Sequence, residues 1–344
     1  MAEFENMGEV AVWKKPVSHR LSKRIANRIT AVLGLQKQQD KKIQQWIDES
    51  DVILSNTITN GDFLRAFNFL SVKNLITYVH ELEMATIFFS NRQDVQLVSE
   101  ISHRFLVPSQ AVATHLINNL GISENAIDTL NYYIPLSDNA PTAERMTPEP
   151  FVVGLAGTLD WRKGSDIFTI AVASFFRKYP NANLQFVWKG AATNGIDHER
   201  IVYELKKLQL LEKVNILPSS KDMNGFYQSI DVLLLLSKED PYPLVVLEAA
   251  NHYKPCICFR NAGGAPEFVR DDAGDTVPYL DLDKLASTIY QYYSNRSVVT
   301  NKGQTAHARY KDLHFNRELI LAQFKKAIGQ QPQITGEEAE RLQA

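Results

Sequence analysis

The chain has 344 residues, enough for two domains of ordinary size, and 44% of them are apolar against 22% charged. That balance is a globular protein's and excludes a low-complexity or fibrous chain. A formal net charge of −2 argues against nucleic acid as the main partner, because such partners want a clear basic surplus.

The opening segment is basic. Lys14, Lys15, Arg20, Lys23, Arg24 and Arg28 occur with no acid between them, and Val17, Leu21, Ile25, Ile29 and Val32 or Leu33 form a helical stripe. Two readings stand: a helix over about 14–35 making peripheral contact with anionic lipid, or one packed on the first domain with a solvated basic face. No secretory signal opens the chain, and no apolar run reaches the ~20 residues that span a bilayer. The expected location is cytoplasmic, with attachment to the inner face of the membrane as the variant.

Short apolar runs then alternate with helix-length amphipathic stretches, which predicts a parallel α/β sheet. Strands are expected at Val52–Ser55, Asn74–His80, Arg104–Pro108 and Ile127–Ile134, with helical patterns after the first three. Leu136 to Pro150, rich in Pro, Ser, Thr, Asp and Asn, reads as a linker. A second series follows. Its expected strands are Phe151–Leu155, Leu184–Trp188, Val214–Leu217, Val232–Leu236, Pro255–Phe259 and Thr276–Val277. Its expected helices are Ser165–Tyr179, Glu199–Leu208, Met223–Ser229, Leu244–Asn251, one opening at Pro266–Val269, Leu282–Asn295, Thr300–Tyr310 and Arg317–Ile328. The polar tail beyond reads as frayed. Cys256 and Cys258, two apart on one strand, point the same way and cannot bridge comfortably, so both are expected as buried free thiols in a reducing compartment.

Four stretches sit at the carboxyl ends of expected strands, where α/β folds place ligands. Gly157-Thr158-Leu159-Asp160-Trp161-Arg162-Lys163-Gly164 brings two adjacent cations to a helix opening; it suits a phosphate, or is a solvated loop. Asp240 and Glu248 bracket Pro241-Tyr242-Pro243 and the first turns of a helix, with Glu239 adjoining. They are placed to accept hydrogen bonds from sugar and ribose hydroxyls, although Glu248 also reads as a surface helix residue. Asn261-Ala262-Gly263-Gly264-Ala265-Pro266-Glu267 lets backbone N–H groups approach an anion, or is a tight turn. His80-Glu81 ends a strand of the first half; a lone histidine also reads as structural. The eight histidines show no metal-binding spacing such as H-E-x-x-H.

Taken in order, Ser55-Asn56-Thr57, Val79-His80-Glu81-Leu82, Phe105 to Ser109, Asp160 to Asp166, Asp240 to Ala250 and Ala262 to Glu267 resemble the retaining glycosyltransferases of family 4. The resemblance spans about residues 50 to 330. It implies the GT-B fold: two Rossmann-like domains facing across a cleft, an acceptor-side domain over 1–148, a donor-binding domain over 149–316, and a C-terminal helix over 317–344 crossing back toward the first.

The resemblance further implies transfer of a hexose from a nucleotide-sugar donor, UDP- or GDP-linked, to a glycan or glycolipid acceptor. Configuration is retained, and neither metal nor cofactor takes part. Lys163, helped by Arg162, is implied to bind the donor diphosphate, Asp240 the donor sugar, and Glu248 the ribose. Backbone groups of Pro218–Lys221 would meet the base, and Gly263 and Gly264 the donor. His80 would reach the donor sugar and its reacting phosphate. Thr158 and Glu239 complete the donor-binding set.

The chain departs from the family pattern in four ways. Asp240 stands where relatives carry Glu, Pro241-Tyr242-Pro243 replaces a Gly-rich turn, and Thr158 replaces an Arg. Nothing before Asp51 resembles the family's opening strand and Gly-rich loop, so the N-terminal domain is expected to be incomplete. That gap keeps open a catalytically weak donor-binding or scaffold protein of the same fold. A nicotinamide-dependent enzyme is disfavoured, because no G-x-G-x-x-G follows a strand and Gly154-Leu155-Ala156-Gly157 is a poor substitute.

Overall fold

The computed structural model describes residues 8–13, 37–69, 74–135, 150–192 and 195–329. The basic stripe over 14–35, the expected linker over 136–149 and the polar tail from 330 lie outside them. Contacts divide the chain into two compact units. One runs to Leu106 and includes Leu116–Asp128; the other holds Val107–His115 and Thr129–Lys326.

The first unit is built on a sheet of order β1-β2-β3-β4: β1 (Ile53–Ser55), β2 (Leu75–Tyr78), β3 (Arg104–Val107) and β4 (Ile127–Thr129). β1 with β2 and β2 with β3 pair in parallel. Its helices are α1 (residues 37–49), α2 (Gly61–Ala66), α3 (Glu83–Phe89) and α4 (Arg92–Ile101); α5 (Gln110–Leu120), which starts where β3 ends, belongs to the second unit up to His115 and to the first beyond it. Buried Asp94 on α4 binds Arg65 of α2, and its amide donates to the side chain of Asn91, which caps the helix. β4 is shorter than the sequence suggests. Leu130 still donates to the Val107 carbonyl, but the Asn131 and Ile134 amides turn to the Gln323 side chain and the His314 carbonyl, which ends the ladder.

The second unit holds a six-stranded sheet of order β10-β9-β8-β5-β6-β7. Its strands are β5 (Phe151–Ala156), β6 (Leu184–Ala191), β7 (Val214–Pro218), β8 (Val232–Leu235), β9 (Cys256–Phe259) and β10 (Gly274–Val277), every pair parallel. Its helices are α6 (Ser165–Lys178), α7 (Ile196–Lys207), α8 (Asn224–Ser229), α9 (Leu244–Asn251), α10 (Ala265–Val269), α11 (Leu282–Ser294), α12 (Arg296–His314) and α13 (Arg317–Ala327).

The alternation of side chains across a strand divides the core into two layers. Phe151, Val153 and Leu155 of β5 join Leu234 and Ile257 on one face, against α6, α7 and α11. Val152 and Ala156 join Leu233, Leu235, Cys256 and Cys258 on the other, against α8, α9, α10 and α12. Both cysteines are free and buried in that second layer. Two further boundaries differ from the sequence reading. β6 continues to Ala191 because its pairing with β7 shifts register between Lys189 and Ala191, where Gly190 has φ +108°. α12 begins at Arg296 and extends to His314, since Asn295 ends one helix and caps the next by accepting from the Ser297 amide.

β5 reaches β6 on one side and, after β7, the chain returns to lay β8 on the other. The strand order therefore reverses between β5 and β8, the position at which open α/β sheets bind ligands.

At the opposite end of those two strands, Asp231 accepts from the Val152 amide at 2.7 Å and from Arg296 at 2.7 Å. Its side chain is 6% exposed, and the Arg296 guanidinium lies over the Phe151 ring at 4.5 Å. Replacing Asp231 with Ala strands a buried donor and should cost about 2–3 kcal/mol in urea denaturation. Asp231→Asn, which keeps an acceptor, should lose distinctly less.

Candidate functional site

Three loops leave the carboxyl ends of the adjacent strands β5, β8 and β9, and they are tied to one another. After β5, Asp160 organises the turn: its Oδ1 accepts from the Arg162 amide at 2.9 Å and the Lys163 amide at 3.2 Å. Thr158 donates to the other carboxylate oxygen at 2.6 Å. Residues Trp161–Lys163 form a single tight helical turn that passes into α6 at Gly164. Gly164 has φ +78°, and a Cβ there would lie 2.2 Å from the Leu236 carbonyl, so the β5 and β8 loops touch through their backbones.

The β8 loop answers from the other side. The Lys238 amide donates to the Arg162 carbonyl at 2.7 Å. The Lys238 ammonium pairs with Asp166 and sits 5.1 Å above the half-exposed Trp161 ring, with only 9% of its side chain exposed. This clasp is not visible in the sequence, because its three members are separated by up to 77 positions and belong to a loop, a turn and helix α6.

Lys163 and Asp240, the two residues with the most specific expected roles, meet directly. Lys163 Nζ lies 2.6 Å from Asp240 Oδ2, with side-chain exposures of 24% and 9%. Ser237 Oγ is 3.5 Å from the same oxygen. A carboxylate this deep needs a cation and hydrogen bonds in place of water.

Gly263 and Gly264 serve Asp240's backbone. The Asp240 amide donates to the Ala262 carbonyl at 2.8 Å, and the Gly264 amide donates to the Asp240 carbonyl at 3.1 Å. A Cβ on Gly263 (φ +123°) would fall 1.8 Å from that carbonyl oxygen. The glycines therefore let two chains cross, and the Gly264 N–H already has an acceptor within the protein. α10, which follows, is a single five-residue turn. Its Glu267 accepts from the Gln110 and Ala111 amides at 2.8 Å each, at the start of α5.

Beyond Asp240 the loop is fixed by aromatics. Tyr242 OH is 3.0 Å from His314 Nε2, and His314 Nδ1 is 2.9 Å from the Tyr132 carbonyl. Glu248, in the second turn of α9, is half-buried and accepts from Tyr227 OH at 2.5 Å. It does not bond to Lys163 or Asp240 but stands on the helix that follows the Asp240 loop. Glu239 is half-buried, and its charge adds to that of Asp166 in raising Tyr279, which burial raises first. The Pro218–Lys221 loop is exposed at the end of β7.

His80 lies in the first unit, at the carboxyl end of β2. Its Nε2 is 3.0 Å from Asn56 Oδ1, its ring packs 4.1 Å from Tyr78, and its amide donates to Glu81 at 3.0 Å. Burial lowers the imidazole below its ordinary range, which keeps it neutral at physiological pH. Glu81 is raised by burial and held by Thr57 and the Ile58 amide. Among the described residues no group of three or more His, Cys, Asp or Glu converges on one point, and no helix is long and apolar enough to cross a membrane.

Comparison with known proteins places this geometry. Residues 150–295 match the family of glycosyl transferases group 1. The chain is 28% identical over 135 residues to the amylovoran biosynthesis glycosyltransferase AmsD of Erwinia amylovora, covering 39% of this chain and 38% of that protein. It is 28% identical over 185 residues to a D-inositol 3-phosphate glycosyltransferase of Segniliparus rotundus, covering 51% of this chain and 40% of that one. The matches thus span about two fifths of these curated relatives. The fold is that of the GT-B glycosyltransferases. A crystal structure of Anabaena HepE in complex with UDP superposes with a TM-score of 0.70 at 20% identity, covering 85% of this chain and 82% of that one. Sucrose-phosphate synthase from Thermosynechococcus elongatus gives 0.67 at 19%, covering 83% and 75%.

The Tyr242–His314–Tyr132 chain carries a pH signature. Burial lowers His314 from its ordinary value near 6.5 to about 4. The unfolded chain therefore takes up a proton that the folded protein refuses, so stability is full above about pH 6.5 and falls as pH drops toward 4. Thermal melts of the protein and of His314→Gln across pH 4–7 should show a shallower acid slope in the variant. His80, His252 and His307, also lowered by burial, contribute to the slope that remains.

Proposed function

We propose that the chain is a glycosyltransferase that moves a hexose from a UDP- or GDP-sugar to a hydroxyl of a glycan or glycolipid, with retention and without a metal. The observation that carries this reading is the meeting of Lys163 with Asp240 at the point where the strand order reverses, in a turn that also presents Arg162. A cationic turn opening a long helix suits a diphosphate. A carboxylate beside it suits sugar hydroxyls.

In the proposed reaction the bond from the sugar C1 to the diphosphate oxygen breaks, and a bond from C1 to the acceptor oxygen forms on the same face. The acceptor's proton passes to the departing phosphate. Charge grows on that phosphate as the bond stretches, and Lys163 with Arg162 stabilises it, which is electrostatic catalysis by groups already in place. Glu248 accepts from the ribose hydroxyls, and exposed backbone at Pro218–Lys221 meets the base. Thr158 acts through Asp160, whose carboxylate shapes the cationic turn. Glu239 borders the same loop as Asp240, and Gly263 and Gly264 hold that loop's backbone. His80, at the carboxyl end of β2 and kept below its ordinary range by burial, is the first unit's own candidate for a sugar contact. The cationic pair supplies the charge that a metal would supply in other transferases.

Lys163→Ala and Glu248→Ala should each weaken UDP or GDP binding by about 1.5–3 kcal/mol in calorimetry, the worth of a hydrogen bond to a charged group. Lys163→Ala leaves the deep Asp240 carboxylate without its cation and Glu248→Ala leaves the buried Tyr227 hydroxyl without its acceptor, so the melting temperature should also fall, and affinity is compared below the melt, where both variants are folded. Unchanged nucleotide affinity in both variants would falsify the site assignment.

The same titrations repeated with excess EDTA should give the same affinity. Binding that requires Mg²⁺ or Mn²⁺ would contradict the metal-free reading.

A further inference from the structure

Tyr227 sits on α8, a helix that supplies no residue to the loops above, and its ring is 1% exposed in the second core layer. A phenol so buried must find an acceptor. It finds Glu248, donating to Oε2 at 2.5 Å. The ring is itself held: His252 stacks on it with centroids 5.2 Å apart and planes inclined by 30°. His252 is fixed in turn, with Nδ1 2.9 Å from the Glu248 carbonyl and Nε2 3.1 Å from Asn224 Oδ1. These contacts close a ring of interactions. Glu248's backbone orients His252, His252 orients Tyr227, and Tyr227 orients Glu248's carboxylate.

We infer that Tyr227 is a positioning residue that holds the Glu248 carboxylate in register for the two ribose hydroxyls of the donor. The inference rests on the ribose role proposed for Glu248. An ionised carboxylate has about four acceptor sites on its two oxygens. Tyr227 occupies one, on the buried side, and leaves Oε1 and the outer lone pairs for a vicinal diol. Burial, with Glu248's charge second, drives the Tyr227 hydroxyl well above the usual phenol range, so it stays a donor and does not compete for the diol's protons. A glutamate on a half-exposed helix face would otherwise sample several rotamers, and binding would have to fix one.

The test compares UDP with 2′,3′-dideoxy-UDP, and GDP with 2′,3′-dideoxy-GDP, by calorimetry on the full chain and on Tyr227→Phe. The variant keeps the ring and its stacking and loses only the hydroxyl. Its affinity for the ribose-bearing nucleotide should fall roughly tenfold, the loss of one hydrogen bond to a charged group, while the dideoxy ligand binds as it does to the parent protein. Transfer assays should show a raised KM for donor and an unchanged KM for acceptor. A Tyr227→Phe protein that still prefers ribose over dideoxyribose as strongly as the parent overturns the inference alone. Equal weakening of both ligands overturns it too, since that marks a general structural role. A parent protein that does not distinguish the two sugars removes Glu248's ribose role, and the inference falls with it.

Discussion

Three neighbouring strands that run the same way must end at the same edge, and that constraint governs the second unit. β5, β8 and β9 deliver residues 157–164, 236–243 and 260–264 into one crowded space. Side chains cannot fill all of it, because the backbones touch. Gly164 meets the Leu236 carbonyl, and Gly263 and Gly264 meet the backbone of Asp240 and Pro241. Glycine is needed at those crossings for steric reasons before any ligand is considered. The turn pinned at Gly164 and the loop pinned at Gly263 then bring Lys163 and Asp240 together.

The electrostatics follow from that crowding. Asp240 is too deep for water to solvate it well, so it takes Lys163 as a partner. Lys238, equally deep, takes Asp166 and the face of Trp161. The two ion pairs interlock the same two loops in opposite senses: one cation reaches from the β5 loop to the β8 loop, the other returns. Charge is balanced within the edge, and the more exposed member of the first pair is the cation. An incoming anion therefore meets Lys163 before it meets Asp240, which is the polarity a phosphate site requires.

Much of this was legible in the sequence, and the misses have physical reasons. Strands of the second unit show as apolar runs because they are buried on both faces; Leu233 to Leu236 divides evenly between the two core layers. The cationic turn and the acidic loop show because they follow such runs. The pattern Gly263-Gly264 suits an anion's approach or a tight turn; the neighbours that make glycine necessary are the backbones of Asp240 and Pro241, which pattern alone cannot place beside it. By pattern Lys238 is one charge in a polar loop; its partners lie on α6 and in another turn. Tyr227 looked like one more apolar position of a short helix, and only its hydroxyl's partner distinguishes it. β4 was drawn too long because its later residues keep strand-like composition while bonding to α12 and α13. The segments 14–35 and 136–149 lie outside the described residues, so neither reading of the basic stripe is decided by the fold.

The site's polar groups differ in how firmly they are held, and the difference matches the work proposed for each. Asp240 is fixed at both ends, its amide and carbonyl by β9's loop and its carboxylate by Lys163. Glu248 is fixed by Tyr227 at one oxygen and otherwise faces outward. Lys163 has a long stem and one salt bridge, which makes it the most adaptable of the three. In the proposed reaction the departing phosphate gains charge as its bond to the sugar C1 breaks, while the ribose stays where it is bound. A mobile cation against rigid acceptors suits that division. In the proposed reaction Lys163 shares itself between Asp240 and the departing phosphate, following the charge as it develops, without disturbing the groups proposed to hold the donor.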